Sequence, residues 1–434
     1  MSRLGIDFGT TSIKCALVTE TTTNPHSVFH SKQVHDADVI SSDGKHEQSV
    51  PVMISALRKA LKGLAQRSKE DLLHVETVSI CCQMHGIMFW NDVEDTSNLI
   101  TWQDQRCSQE FLTEIRGHSV SDDLHTGYGN ATLAWLARNS PQFLERYRCC
   151  GTIADYFIYV LCGLQESVIS DHNAQSWGYF DEKSGNWDYG AVKTAGIGVK
   201  LPRILKSGNI VGSVEDENFV IAKGAQVFVP IGDLQASVYS VLGGKSGRVF
   251  NYGTASQIVM TTECCDLGSL PKSVRRALYT HDHNLITAAS LNGGNSVEVV
   301  VKLFSSLSTE TKLDYETLME MAYDKKNTKL RVCPVFFGER HATKTFGSFS
   351  NVTHDNLTVG DISAAVFRGI VENLSDMMSG VDIKGDVLYA VGIAERPVLQ
   401  YFVKEILGDF TLFEKEVTAA YGAILFDLGN ETSL

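Results

Sequence analysis

The chain has no long hydrophobic run. Its most extended apolar stretch covers residues 156–164, far short of the roughly 20 residues that a membrane-spanning helix needs. Asp7 and Gly9 interrupt the first apolar stretch, so the N-terminus does not read as a secretory leader. Basic residues are in deficit: 38 Lys and Arg against 51 Asp and Glu leave a formal charge of −13. Nucleic acids and anionic membranes reward basic surface, so neither is expected as a partner. A nucleotide stays open, since it needs only local donors. Metal-type Cys/His spacing is absent, and so are the GxGxxG, HExxH and GxSxG patterns. Gly244-Lys245-Ser246 looks like the tail of a phosphate loop, but Tyr239 stands where that loop requires glycine. The ten cysteines include the adjacent pairs Cys81-Cys82, Cys149-Cys150 and Cys264-Cys265. A chain of this length needs no disulfides, and reduced thiols in a cytoplasmic protein are the expectation.

What is present points to a layered α/β protein. With 434 residues, 43% hydrophobic and 21% charged, the chain can build two or three domains with packed cores. Residues 4–7, 13–18 and 27–35 read as three strands, followed by a helix with Met53, Leu57, Leu61 and Leu64 on one face, ending near Gly63 or Gln66. A strand follows at 75–81. Strands mixed with helices in this way imply an α/β layered domain. After the glycine-rich segment 243–247, a plausible linker, the strand–turn–strand pattern restarts. Gly9-Thr10-Thr11-Ser12 returns as Gly253-Thr254-Ala255-Ser256, 244 positions later and again between two apolar runs. A tight glycine turn lets backbone N–H groups and hydroxyls close on an anion. Two such turns suggest a duplicated architecture that grips a polyphosphate from both sides.

Four places carry candidate chemistry. Asp7 ends the first strand just before the first turn, where a carboxylate can hold Mg²⁺ through water or simply cap the turn. Asp233 follows the strand 227–231 and precedes a helix; it reads either as a general base toward a sugar hydroxyl or as that helix's cap. Gln83-Met84-His85-Gly86 directly follows the strand 75–81, at the end that faces ligands in α/β sheets. Asp104 stands two residues before Arg106, either to bind vicinal hydroxyls or as a surface ion pair.

Residues 4–14 resemble the opening of the FGGY carbohydrate kinases, members of the actin-like ATPase superfamily. Segments 83–90, 101–111, 151–164, 170–180, 232–240, 290–295 and 338–341 are similar to the branch of that family that phosphorylates sedoheptulose. The resemblance runs almost end to end. It implies two ribonuclease-H-like domains with an interdomain cleft, here 1–245 and 246–434, with sugar mainly on the first and ATP mainly on the second. It implies Asp233 as catalytic base, Asp7 as the carboxylate that couples to Mg²⁺, and Gly9, Thr10 and Thr11 as the first phosphate loop. Gly253 and Thr254 match the second loop, with Gly294 and Gly392 also on the nucleotide side. Gln83, Met84, His85, Asp104 and Gln235 match sugar-side positions. The expected partner is a small heptulose, and the expected state is a monomer or homodimer.

Two departures stand out. The stretch 389–394 keeps Gly392 as its only glycine where the family has a glycine-rich turn, and a bulkier turn is expected to crowd the nucleotide. Cys81-Cys82 replaces small residues before Gln83. Rival readings are a kinase of another ketose such as xylulose, and a nucleotide- or sugar-binding protein with impaired turnover. A chaperone-type ATPase shares the opening turn but has no use for segments 83–86 and 102–104.

Overall fold

The computed structural model describes residues 1–19, 27–39, 43–116, 124–216, 218–263, 270–307, 313–342, 345–381, 387–413 and 418–431. The pair Cys264-Cys265 lies outside them. The chain divides into two compact units, Met1–Gly244 with Val417–Leu434, and Lys245–Glu416.

In the first unit the strand Ser2–Phe8 is buried at nearly every position, as expected for a strand with packing on both faces of its sheet. It runs antiparallel to Ser12–Thr19 and parallel to Val75–Cys82. The sheet continues from Ser12–Thr19 to Ser27–Val34, and on the other side from Val75–Cys82 to Gln226–Phe228 and Ile210–Ser213. A helix, Val50–Leu73, starts with proline in its first turn and buries Met53, Leu57, Leu61 and Leu64. Gly63 does not end it, as the sequence suggested. A Cβ there would stand 2.6 Å from the Ser31 hydroxyl, so this glycine lets the helix approach the sheet closely. The helix instead kinks at Ser68 and continues to Leu73.

The second unit repeats the plan. Arg248–Tyr252 runs antiparallel to Ser256–Glu263 and parallel to Leu388–Val391. His283–Ser290 extends one side, and Thr411–Leu412 the other. Five strands thus share order and direction between the units, as the duplicated turns and the ribonuclease-H-like resemblance led one to expect. The turns themselves differ. Phe8 pairs with Ile13 across the first, whereas Tyr252 pairs with Ser256 across the second, a loop one residue tighter. Gly9 accordingly bonds to the Ser12 carbonyl, and Gly253 to that of Ala255.

The last helix departs from a simple division of the chain. The expectation carried the second domain to residue 434, but Ala419–Glu431 lies with the first unit. Small residues explain why. Ala420 and Ile424 pack with Ala16 and Val18, and a Cβ on Gly5 or Gly422 would strike the carbonyl oxygen of Ala420 or Ala236 respectively. Backbones that close leave no room for a methyl group. Among the described residues no helix is long and apolar enough to cross a membrane. Gly422→Ala is expected to cost about 1–3 kcal/mol of stability in urea denaturation; a loss below about 0.5 kcal/mol would mean that Ala419–Glu431 does not depend on this close approach to Ala236 of the helix Asp233–Leu242.

Candidate active site

Three parallel strands end together at one edge of the first unit's sheet. Cys81 is paired with Asp7 on one side and with Ile231 of the short strand Ile231–Gly232 on the other. That register sets Asp7 beside the chain segment that delivers Asp233. Ligands of open α/β sheets bind beyond such carboxyl ends. Asp233 opens the helix Asp233–Leu242, and its Oδ1 accepts the Leu234 N–H at 2.8 Å. The helix is capped by Gly232 and not by Asp233, so capping does not account for this carboxylate. Burial pushes the Asp233 carboxyl up to about 7, and the negative charge of Asp7 adds to the shift.

Asp7 is itself buried, and burial raises its carboxyl above the usual range while Lys14 opposes the shift. The Lys14 Nζ stands 3.5 Å from Oδ2. The other oxygen, Oδ1, is buried with no hydrogen-bond partner among the described residues. The two acids are therefore unlike. One has a lysine and an open oxygen, and the other faces a negative neighbour.

The first turn is tied to the residues after the Val75–Cys82 strand. Gln83 donates its backbone N–H to the Phe8 carbonyl at 2.9 Å. The Thr10 hydroxyl donates to Gln83 Oε1 at 3.4 Å and accepts from Trp102 Nε1 at 3.1 Å. Gln48 completes the set: its Nε2 donates to the Thr10 carbonyl at 2.8 Å, and its Oε1 accepts from Gln83 at 2.9 Å. Gln48 was not singled out in the sequence, where an isolated glutamine before a helix carries no signal. His35 holds the turn from the other side, its Nε2 on the Gly9 carbonyl and its N–H on that of Thr11.

His85 lies in the left-handed region at φ 73, which costs energy for a residue other than glycine. Its ring stacks on Tyr128 at 4.2 Å, and Nδ1 meets the Ser176 carbonyl at 2.8 Å. Met84 and Gln235 both close on Gly232, where a side chain would collide with them. Gln83 thus touches the first turn, and Met84 and Gln235 the residue before Asp233, whereas the contacts of His85 run to Ser176 and Tyr128.

Asp104 differs from its two sequence readings. Its Oδ1 accepts from the Arg106 N–H at 3.0 Å and Nε at 2.8 Å, and its Oδ2 from Arg106 Nη2 and the His46 N–H, each at 2.9 Å. Both oxygens are used within the protein, and the carboxylate is fully buried. A carboxylate offers about four acceptor positions. The pair is a buried clamp on the loop after Trp102, which leaves Asp104 no capacity for sugar hydroxyls.

In the second unit, Gly294 and Asn295 donate their N–H groups to the Gly253 and Thr254 carbonyls at 2.9 and 3.0 Å. The helix Gly294–Leu307 thereby starts against the second turn. Gly392 follows the strand Leu388–Val391 at φ 79, and any Cβ there would strike the Tyr252 carbonyl oxygen. Only glycine satisfies both demands. Ile393 is fully buried in the second core. The Ile393 side chain is therefore directed inward, while Tyr389 and Val391 stay half-buried.

Residues 2–242 match the N-terminal domain of the FGGY family of carbohydrate kinases. This chain belongs to that family. The sedoheptulokinase of Mus musculus is 32% identical, over 99% of this chain and 98% of the relative. That of Homo sapiens is 31% identical over 97% and 96%. Among solved structures, glycerol kinase from Plasmodium falciparum with ADP superposes with TM-score 0.84 at 19% identity, over 99% of this chain and 90% of that one. Xylulose kinase from Lactobacillus acidophilus gives 0.82 at 19%, again over 99% and 90%. At that identity these structures establish the fold. The chain is a carbohydrate kinase with the actin-like ATPase fold.

Two measurements test this geometry. Asp104→Asn breaks a buried ion pair and is expected to cost about 3–5 kcal/mol in denaturant unfolding; a loss under 1 kcal/mol would contradict the clamp. For Asp233 the folded carboxyl titrates near 7, against an ordinary 3.8. The folded protein therefore binds this proton more tightly, and the associated stability is present below about pH 3.8 and lost as pH rises through about 7. Asn does not ionise and escapes that loss. Ligand-free Asp233→Asn should melt above the parent protein at pH 8, with the difference shrinking toward pH 4. A pH-independent difference would mean that Asp233 ionises normally.

Proposed function

We propose that this FGGY kinase transfers the γ-phosphate of ATP to the C7 hydroxyl of sedoheptulose, giving sedoheptulose 7-phosphate and ADP in the cytoplasm. Asp233 is the base. A carboxylate whose proton affinity is raised toward neutrality takes a proton from an attacking hydroxyl more readily than an ordinary one. This single observation, an acidic side chain at the strand edge with Asp7 beside it, carries the mechanism. The near full-length likeness to two sedoheptulokinases supports the choice of sugar.

Asp7 fits a cation-coupling role. Among the described residues no cluster of three or more His, Cys, Asp or Glu side chains could hold a metal alone. Mg²⁺ rarely needs one, since it keeps its waters and binds through one or two carboxylates plus substrate phosphates. The buried, unpartnered Oδ1 of Asp7 is an acceptor of that kind. Bound there, the ion would supply charge neutralisation to the phosphates. Thr10 and Thr11 would offer backbone donors at the first turn, and Thr254 at the second, while the N–H groups of Gly9 and Gly253 close the turns themselves. Gly294 and Gly392 permit the close packing of the second turn and bring its backbone within reach of a phosphate. Gln83, Met84, His85 and Gln235 would hold the sugar, with Gln48 and Trp102 fixing their frame. Sugar contacts away from the reacting hydroxyl would decide which ketose reacts.

The experiment is sugar-dependent ADP release. Asp233→Asn should keep sugar binding in calorimetry and lose turnover by about two or more orders of magnitude, the scale of general-base loss. Unchanged turnover would remove the mechanism. A panel of C5 to C7 ketoses under the same assay should rank sedoheptulose first by kcat/KM; a preference for xylulose would replace the substrate and leave the chemistry intact.

A further inference from the structure

The segments 290–295 and 338–341 are separated by more than forty residues, and nothing in the mechanism above uses the second. They meet at one buried carboxylate. Glu339 is 4% exposed. Its Oε1 accepts from the Ser290 hydroxyl, from Asn292 Nδ2 at 3.1 Å and from Asn373 Nδ2 at 2.9 Å; its Oε2 takes the Leu291 N–H at 3.4 Å. Asn292, 1% exposed, continues the network. Its Oδ1 accepts from the Phe337 N–H at 3.1 Å and the Ser296 hydroxyl at 3.2 Å, while its carbonyl accepts from the Ser256 hydroxyl. These bonds grip the three residues immediately before Gly293 and Gly294.

That placement has a consequence at the second turn. A Cβ on Gly293 would lie 2.7 Å from the Ala255 carbonyl carbon, so the backbones touch there. Gly294 and Asn295 hold the turn's two carbonyls. Among the described residues no side chain is hydrogen-bonded to Gly253, Thr254 or Ala255 as Gln48 and Trp102 are to the first turn. Its position is inherited from the Ser290–Asn292 segment, and that segment from Glu339. A buried carboxylate costs several kcal/mol to desolvate, which a fold tolerates when the hydrogen bonds received are worth more.

We infer that Glu339 is a positioning residue for nucleotide binding: through Ser290, Leu291 and Asn292 it fixes the Gly293–Gly294 step that holds the Gly253–Ala255 turn in phosphate-binding shape. This rests on the reading that the second turn receives the nucleotide's phosphates. Glu339→Gln keeps the volume but turns an acceptor into a donor that faces other donors. Hydrogen bonds to a charged group are the stronger class, so the loss is large.

The test uses the full chain and calorimetry with MgADP and, separately, sedoheptulose. Glu339→Gln should weaken MgADP binding by at least tenfold and raise KM for ATP, with the sugar dissociation constant within twofold of the parent value. Ser290→Ala and Asn373→Ala, each deleting one donor, should show the same selectivity at a smaller size and cover the case in which Glu339→Gln does not fold. Nucleotide affinity unchanged in the folded variants, whatever their melting temperature, overturns the inference. So does equal weakening of sugar and nucleotide, which is the mark of a general structural role. Absence of MgADP binding by the parent protein would instead refute the nucleotide reading on which the inference stands.

Discussion

Everything in the first unit is arranged around the cost of placing two carboxylates at one edge of one sheet. Parallel pairing forces it: Asp7, Cys81 and Ile231 lie at the same level, and Asp233 comes two residues later. Like charges in a partly desolvated site repel by several kcal/mol, and the pair responds by holding protons to higher pH. Lys14 relieves Asp7 from the neighbouring strand, which pairs it directly opposite. For Asp233, burial and the charge of Asp7 outweigh what the Leu234 N–H and Lys14 give back. The chain therefore keeps a carboxylate that destabilises the fold at neutral pH, a feature more common where chemistry needs it than where structure does.

The site's rigidity is supplied by neutral groups. Gln48, Gln83, Thr10 and Trp102 form a closed set of hydrogen bonds, and His85 is held in a strained backbone conformation by Ser176 and Tyr128. The Arg106 guanidinium close to these residues is consumed within the protein by Asp104 and Glu47. Charge at the site is left to the two acids and Lys14, and orientation to amides and hydroxyls. A polyol has many weak acceptors and donors and no net charge, and it is matched by such a set better than by salt bridges.

Much of this was legible in the amino-acid order. The glycine-hydroxyl turns announced themselves because the same residues recur between apolar runs. Asp7, Gln83 and Asp233 were legible because each ends a strand. Asp104 was misread because sequence places it two residues before an arginine without saying that both would be buried, and burial turns a hydroxyl binder into a clamp. The helix end was expected near Gly63 or Gln66; Gly63 instead serves a close approach to Ser31, and the kink comes at Ser68. Gln48 was invisible, since its role comes from contacts with residues 38 positions before it and 35 positions after it. The same holds for Glu339, whose carboxylate is bonded by residues 47 to 49 positions before it and by Asn373, 34 positions after it. The last helix was assigned by order along the chain, whereas small residues at Gly5, Ala420 and Gly422 decided where it packs.

The duplication is informative where it fails. Asp7 and Asn251 occupy equivalent places, one residue before the aromatic side chain that precedes each turn, and so a carboxylate in one unit is an amide in the other. A phosphate near Asp7 meets a negative charge and needs a cation between the two. A phosphate near Asn251 does not. The Thr10 hydroxyl and carbonyl are also committed to Trp102, Gln83 and Gln48, while the second turn has given its carbonyls to the start of a helix. On the proposed reading, a cation is needed at the first turn and not at the second. The two hairpins share a backbone plan and differ in charge at Asp7 and Asn251.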